Sequence, residues 1–566
     1  MTTRFFGQRI KRNEDPRLLT GQALFVDDVH LPRMAHVAFV RSPFAHARIS
    51  SIDTSAALEM QGVVAIYTAS DLGDYWQPGP LLVPPPPIER CEFHQRTQVP
   101  LAKDKVRHLG EAVAVIVAES RYEAEDAREM VMVDYDMLDA VVDMEVALGD
   151  EAPLVHDDLD RNVAAHVIQE KGDYAAIRDQ AHLVVSRRMV YDHGAAAAME
   201  NRGVVADWDA RAGKLSIWDT TQAPIVIRNG LAGMLGLSES QVRVVAPFLG
   251  GGFGPKIMMF YPEEVVIPWL SMQLDRPVKW IEDREENFTA TTQERSQIHD
   301  AELAVDAEGR ILGVKDVYLH DTGAYDPYGL TVPINSQCTL FGPYDIPNHY
   351  SEFTAVFTTL PIVTPYRGAG RQHGVFVMER LLDLAARELD LDRTEIRRRN
   401  FLPPDAFPHD NEFIYQDFAP LVYDSGNYEP ILDKAMEMIG YDDWAAEKAQ
   451  LEADGKKAGL GIVSYVEGTG IGPYEGSRVQ VQASGRVSVV TGVGTQGQGH
   501  MTSFAQIVAD QVGVDPADID VVTGDTDQFH WGAGTFASRG AVVAGNAINE
   551  AALAVRKKIL ELASEQ

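Results

Sequence analysis

Cysteine is almost absent from the 566 residues, with Cys91 and Cys338 the only two. No C-x-x-C pair can be written, which excludes a zinc ribbon, a thioredoxin-like motif and any iron–sulfur cluster ligated by this chain alone. So few thiols give no disulfide framework and suit a reducing compartment, so a cytoplasmic protein is expected. Positive charge is scarce as well: 50 Lys and Arg stand against 83 Asp and Glu, a net charge of −33. Nucleic acid binding needs clustered cations, so no nucleic-acid partner is expected, and an anionic membrane surface is equally disfavoured. The excess acid reads as a solubility feature. No apolar run reaches the ~18 residues of a membrane span, and the opening MTTRFFGQRIKRNEDPRLL is too charged to resemble a secretory signal. The G-x-S-x-G elbow and the H-E-x-x-H zinc helix are both missing. The 16 histidines are scattered; His193, His500 and His530 fall in candidate functional loops, against a default reading of structural histidines. Cys338 has no neighbouring His or Lys to activate it and reads as an inert buried thiol.

What is present is a long globular chain, 45% hydrophobic and 23% charged, enough for roughly three to four domains. Expected boundaries are 1–145, 146–402 and 403–566. In the first region Met34–Val40, Val63–Thr68 and Ala112–Ala118 are short β-branched runs bounded by turn residues, hence strands. SRYEAEDAREM then reads as a helix and VMVDY as a strand. The proline-rich stretch Gln77–Pro87 reads as a stiff surface loop or, in polyproline II form, as a partner ligand. In the second region a helix after Arg371 places Val375, Met378, Leu381, Leu382, Ala385 and Leu389 on one face. Asn400–Phe413, with three prolines, reads as a linker. The third region opens on the helical YEPILDKAMEMIG, continues through the strand VSVVTG and ends in an alanine-rich helix. The whole is an α+β or mixed α/β multidomain chain.

Glycine-rich polar loops carry most of the chemical information. Glycine lets backbone N–H groups approach a ligand closely, which holds phosphates without cationic side chains. Leu249–Lys256, LGGGFGPK, is not a phosphate loop of the NTPase kind, because Pro255 replaces its second glycine and Ile257 its Ser or Thr. Gly492, Gly494 and Gly497 satisfy G-x-G-x-x-G between a strand and a helix, with Asp520 and Asp525 downstream. This leaves a nicotinamide- or flavin-dependent dehydrogenase as an alternative reading. The extra Gln498, Gly499 and His500 lengthen that turn and weigh against it. Gly524–Gly540, GDTDQFHWGAGTFASRG, and Pro365–Arg371, PYRGAGR, complete the set. Together they point to a large phosphorylated cofactor gripped by backbone from several segments.

In chain order, GQRIKRNEDPRLLTGQALFVDDVHLP, RSPFAHARI, HLGEAVAVIVAES, TTQAP, GGGFGPK, YRGAGR, EIRRRNF, YDSGNY, GTQGQGH and GDTD…GTFASRG resemble the molybdenum-binding large subunit of the xanthine dehydrogenase, aldehyde oxidase and aerobic carbon monoxide dehydrogenase family. The resemblance implies an N-terminal hammerhead-like α/β domain over 1–145 and two molybdopterin-binding domains, 146–402 and 403–566, the second incomplete. It implies a molybdopterin cofactor, in the cytosine dinucleotide form usual in bacterial members, with molybdenum held by the pterin dithiolene and not by side chains. Residue by residue, it assigns Gln222 to the metal's apical oxygen and Gly251, Gly252, Phe253 and Gly254 to the turn beside the metal. It assigns Gln496, Gln498, Gly499, His500, Thr526, Thr535 and Ser538 to cofactor-gripping loops. Arg397 braces a cofactor loop or, in the plainer reading, lies on the surface. The implied reaction is hydroxylation of an aldehyde, purine or N-heterocycle with water. Arg367 stabilises charge developing on the substrate, or else only pins its loop.

Two departures stand out. Carbon monoxide dehydrogenases carry a copper-binding cysteine in Y-R-C-S-F-R where this chain has Gly368, so carbon monoxide is not the expected substrate. The general-base glutamate of the family lies in a C-terminal glycine loop that does not occur before Gln566. It is expected on another chain or in a continuing frame, and a catalytically inactive truncated paralogue is the alternative. Iron–sulfur clusters and FAD are expected only on partner subunits, in a dimer of heterotrimers.

Overall fold

The structure is a computed structural model that describes residues 4–257 and 260–565. Its first sheet has seven strands in the order Val242–Val245, Lys214–Asp219, Gly203–Asp209, Val278–Ile281, Ala35–Arg41, Ala112–Ala118, Val63–Thr68. The β-branched run Ala112–Ala118 is buried at every position. Its alternate side chains feed two apolar layers, Val115 and Val117 on one face and Ala114 and Ile116 on the other. Such a doubly covered strand reads as a continuous apolar run, which is why the sequence exposes it so clearly. Ala35–Arg41 pairs in parallel with Val278–Ile281, so the sheet continues across residue 145. The helix Arg121–Arg128 follows, with the Ser120 hydroxyl accepting the Glu123 N–H at its start.

The second sheet has six strands, in the order Arg90–Phe93, Val163–Lys171, His349–Phe357, Ile311–Gly323, Gln293–Val305, Leu183–Ala195. The helices Thr331–Thr339 and Arg371–Glu388 contribute to the core that covers it. The buried stripe of the second helix is Val377, Met378, Leu381, Leu382 and Ala385, whereas Val375 is only half-buried. His193 lies within the strand Leu183–Ala195 and not in a loop. Gln77–Pro87 is not a free ligand: Leu82 N–H donates to Pro327 O at 2.8 Å, and Leu82, Val83 and Ile88 pack on the core. Asn400–Phe413 is likewise a packed connection. Leu402 N–H donates to Pro343 O at 2.9 Å, Phe401 stacks on Tyr344, and the strand His409–Ile414 begins inside it.

A third sheet joins Ser477–Val481, Val487–Thr491 and Ile519–Val522. The last two are parallel, with the helix His500–Val512 as their crossover. The chain's opening segment is tied to this helix. Asp510 accepts the N–H groups of Arg4, Phe5 and Phe6, and Thr502 accepts Asn13 N–H while donating to Glu14.

A largely buried ion network pins the first sheet to its covering helices. Arg202 donates to Glu282 at 2.6 Å and to Glu263 at 2.8 Å, and Arg41 donates to Glu263 at 2.6 Å and Glu286 at 2.8 Å. Burial alone would raise the Glu263 carboxyl, but Arg202 and Arg41 hold it down at about 2. Removing one partner of such a cluster strands the others uncompensated. Arg202→Ala is therefore expected to cost about 3–5 kcal/mol in urea unfolding. A folded carboxyl depressed from its ordinary 4.5 contributes stability that is complete above that pH and is lost as pH falls through about 2. The wild-type advantage over Arg202→Ala should shrink on acidification below pH 4.5; a difference unchanged down to pH 2.5 would remove Glu263 from the network's stabilising role.

Candidate active site

Gln222 lies between the strand Lys214–Asp219 and the helix Pro224–Leu235, whose proline occupies a first-turn position needing no N–H partner. The residue is buried, and its own N–H donates to Lys256 O at 2.8 Å. Its amide is fixed in both directions: Oε1 accepts Gly254 N–H at 2.9 Å and Nε2 donates to Thr535 O at 2.8 Å. Gln496, from the long turn before His500–Val512, repeats the arrangement. Its Oε1 accepts Phe253 N–H at 3.2 Å and its Nε2 donates to the same Thr535 O at 3.1 Å. Two glutamines thus bridge two successive N–H groups to one carbonyl. Since a primary amide carries two N–H groups, each keeps one beyond its bond to Thr535.

The turn between them requires glycine. A Cβ at Gly252 would lie 2.3 Å from Gln496 Oε1 and 2.6 Å from Gln222 Oε1. Phe253 follows with φ near +60° and its ring 42% exposed, an unusual backbone for a bulky residue. Behind the turn, Glu200 accepts Gly250 N–H at 2.6 Å, and Lys256 Nζ donates to Glu200 O at 2.8 Å. Burial pushes the Lys256 ammonium down to about 8, partly offset by Glu200. The YRGAGR loop joins the cluster through its main chain: Arg367 N–H donates to Phe253 O at 2.8 Å, and Arg295 Nη2 donates to Arg367 O at 3.2 Å. The Arg367 side chain is exposed and makes no ion pair among the described residues.

Gln222, Gly251–Gly254, Arg367, Gln496 and Thr535 therefore form one constellation. Gln498, Gly499 and His500 adjoin it. Gln498 Oε1 accepts Gln496 N–H at 2.6 Å, Gly499 precedes the first turn of His500–Val512, and His500 is buried beside Gly540. Burial lowers the His500 imidazole to about 4, so the ring is neutral at pH 7, and its buried Nδ1 has no partner. Ser538, three residues beyond Thr535, is exposed with its hydroxyl toward Glu467.

Two residues expected here lie apart. Thr526 is spent on sheet structure, its N–H donating to Val244 O and its hydroxyl accepting Val244 N–H. Arg397 is neither surface nor in contact with the glycine loops. It is wholly buried and donates to Glu379, Asp383 and Ile462 O, joining Arg393–Asn400 to Arg371–Glu388. Sequence reading missed Glu200, Glu475 and Arg539. Glu475 accepts the N–H groups of Ala533 and Gly534 and pairs with Arg539. The sole signal in the sequence is an acid between Gly472 and Gly476, which does not reveal partners nearly sixty positions away.

The donor set fits a molybdopterin cofactor. It offers amides, hydroxyls and backbone N–H groups around a turn with no room for a Cβ, together with the buried, unpartnered donors Arg539 Nε and Nη1. Among the described residues no group of three or more His, Cys, Asp or Glu is placed to hold a metal ion. No helix among them is long and apolar enough to cross a membrane. Both acids of the dinucleotide fingerprint are already engaged, Asp520 with Arg486 and Asp525 with Arg243, each at 2.7 Å.

Comparison with known proteins agrees. The aldehyde oxidase and xanthine dehydrogenase a/b hammerhead domain family matches residues 20–139, and molybdopterin cofactor-binding domain families match 155–401 and 434–566. The Gly492–Gly497 turn lies inside the last match, which overturns the nicotinamide or flavin dehydrogenase alternative. The chain is 37% identical to the 6-hydroxypseudooxynicotine dehydrogenase complex subunit gamma of Paenarthrobacter nicotinovorans, over 99% of this chain and 70% of that one. It is 35% identical to the carbon monoxide dehydrogenase large chain of Hydrogenophaga pseudoflava, over 97% and 70% respectively. The crystal structure of quinoline 2-oxidoreductase from Pseudomonas putida 86 superposes with a TM-score of 0.92 at 35% identity, covering 99% of this chain and 71% of that one. The hammerhead domain, the two cofactor-binding domains and relatives matched over nearly its whole length make this chain an oxidoreductase of the xanthine dehydrogenase, aldehyde oxidase and carbon monoxide dehydrogenase family, akin to its molybdenum-binding large subunits.

Proposed function

We propose that this chain is the cofactor-bearing subunit of a molybdenum hydroxylase acting on an aldehyde, a purine or an N-heterocycle, the last being favoured. The observation that carries the reading is the Gln222 amide, which is bonded at both its oxygen and its nitrogen and keeps one N–H for a ligand. When bound, molybdopterin supplies the two-electron oxidation that adds a water-derived oxygen to an electron-poor carbon. Gln222 would present its remaining N–H to the metal end of the cofactor, and Gln496, Gln498, Gly499, His500 and Thr535 would hold the pterin and its phosphates. A neutral His500 can accept or donate a hydrogen bond there without adding charge. Ser538 is assigned to the same grip, while Thr526 and Arg397 act as positioning residues, one on the sheet edge and one between helices.

Arg367 divides its work between main chain and side chain. Its N–H pins the glycine turn, which any residue could do, and its guanidinium is left to meet charge developing on the substrate. Gly368 supports the exclusion of carbon monoxide: the position offers no thiol to bind copper, and its φ of +107° is a backbone that a side-chain-bearing residue rarely adopts. Aromatic N-heterocycles are favoured because a relative named quinoline 2-oxidoreductase shares the architecture almost throughout. The cytosine dinucleotide form of the cofactor is what the family resemblance implies. Electrons would leave through an iron–sulfur subunit and an FAD subunit in a dimer of heterotrimers, consistent with relatives named as a complex subunit and a large chain. The two-cysteine composition supports a cytoplasmic setting.

The reading is tested on the purified complex containing this chain, given an N-heterocycle in oxygen-18-enriched water. The expected product carries the label; oxygen drawn from O2, or a product with no added oxygen, contradicts it. Arg367→Met is expected to lower kcat about 100-fold with cofactor content unchanged. An equal fall in cofactor content would reduce Arg367 to the loop-pinning role.

A further inference from the structure

The carbonyl that holds both glutamines is itself held from behind. Glu475 is buried, and one carboxylate oxygen, Oε1, accepts Ala533 N–H at 2.9 Å and Gly534 N–H at 2.8 Å. Arg539 Nη2 approaches the same oxygen at 3.2 Å and also donates to Tyr474 O at 2.9 Å. The next residue is Thr535. Its N–H donates to Gln222 O at 3.0 Å, its hydroxyl to Gly494 O at 2.6 Å, and its carbonyl receives both amides. The ribbon 532–534 is clamped on both sides. A Cβ at Gly532 would lie 2.2 Å from Glu475 Oε2, and one at Gly534 would lie 2.7 Å from Gln222 O. A shift of the ribbon toward either wall is blocked, and Glu475 fixes its position along the gap.

We propose that Glu475 is a positioning residue for Gln222, setting the place of the Thr535 carbonyl and thereby the plane of the amide that faces the cofactor. A charged acceptor serving two adjacent N–H groups is stronger than a neutral one and tolerates little displacement. Arg539 neutralises the buried charge and anchors it to the 473–474 backbone. The effect reaches the site through one peptide unit, without Glu475 touching substrate or cofactor. This inference rests on the function proposed for Gln222.

The test compares Glu475→Ala, Glu475→Gln, Gln222→Ala and the Glu475→Ala/Gln222→Ala double variant in the intact complex. Amide hydrogen exchange across 532–536 is measured alongside turnover. In Glu475→Ala, exchange at Ala533 and Gly534 should rise more than tenfold and kcat should fall at least tenfold, with KM within twofold and the other helices still protected. Glu475→Gln keeps an oxygen acceptor and should recover most of both. The double variant should lose less than the product of the two single losses, because both changes act through the Gln222 amide while the Gln496 amide on the same carbonyl adds a smaller share. Losses that multiply in the double variant, or full turnover in Glu475→Ala, would overturn the proposal. If Glu475→Ala does not accumulate, Glu475→Gln decides: protection and turnover near wild type support the role, and loss of turnover with protection intact overturns it. A Gln222→Ala variant with undiminished turnover would instead remove the proposed function of Gln222, a result separable from the exchange measurement.

Discussion

One backbone carbonyl organises the candidate site. Thr535 O receives the amides of Gln222 and Gln496, and the two amide oxygens return to the adjacent N–H groups of Gly254 and Phe253. A carbonyl oxygen offers two lone pairs, and both are occupied. Each amide is bonded at both ends, so neither can flip without breaking two hydrogen bonds at once. The free N–H of each is therefore a preorganised donor, whose orientation is settled before any ligand arrives. Gly252 between them and Gly534 behind them follow as steric necessities, because a Cβ at either position would strike this frame.

Charge is kept one layer behind those neutral donors. Glu200 with Lys256 braces the glycine turn, Glu475 with Arg539 braces the Thr535 ribbon, and the Arg202–Glu263–Glu282 network lies in the first sheet's core. Each of these ions has a partner of opposite sign, as the desolvation cost demands. The turn surface itself carries amides, hydroxyls and a neutral imidazole, with the cationic side chains of Arg367, Arg295 and Arg12 at its edge. Substrate charge therefore meets a fixed, mostly uncharged frame. The net charge of −33 belongs to the remainder of the molecule.

Local features were legible in the sequence and long-range ones were not. Val63–Thr68 and Ala112–Ala118 form strands at the bounds their β-branched runs indicate, and VSVVTG followed by a glycine turn and a helix forms a strand–turn–helix unit. The pairing of Ala35–Arg41 with Val278–Ile281 is invisible to periodicity, since nothing in either run names its partner. The glycine loops marked where backbone approaches a ligand, and Gln222 and Gln496 do converge. Thr526 and Arg397 show the limit: the family resemblance assigned Thr526 to a cofactor loop and left Arg397 between bracing such a loop and lying on the surface, but side-chain direction sent one to a sheet edge and the other between helices. Glu475 showed only as an acid between two glycines, because its partners come from a separate loop that only tertiary packing brings near.

The most direct measurement is the molybdenum, pterin and nucleotide content of the purified chain in its complex. One molybdenum and one pterin per chain, with cytosine nucleotide released on hydrolysis and retention falling when Gln496 is replaced by Ala, is the predicted result. Protein purified with bound NAD or FAD on this chain, and no molybdenum or pterin, would contradict it.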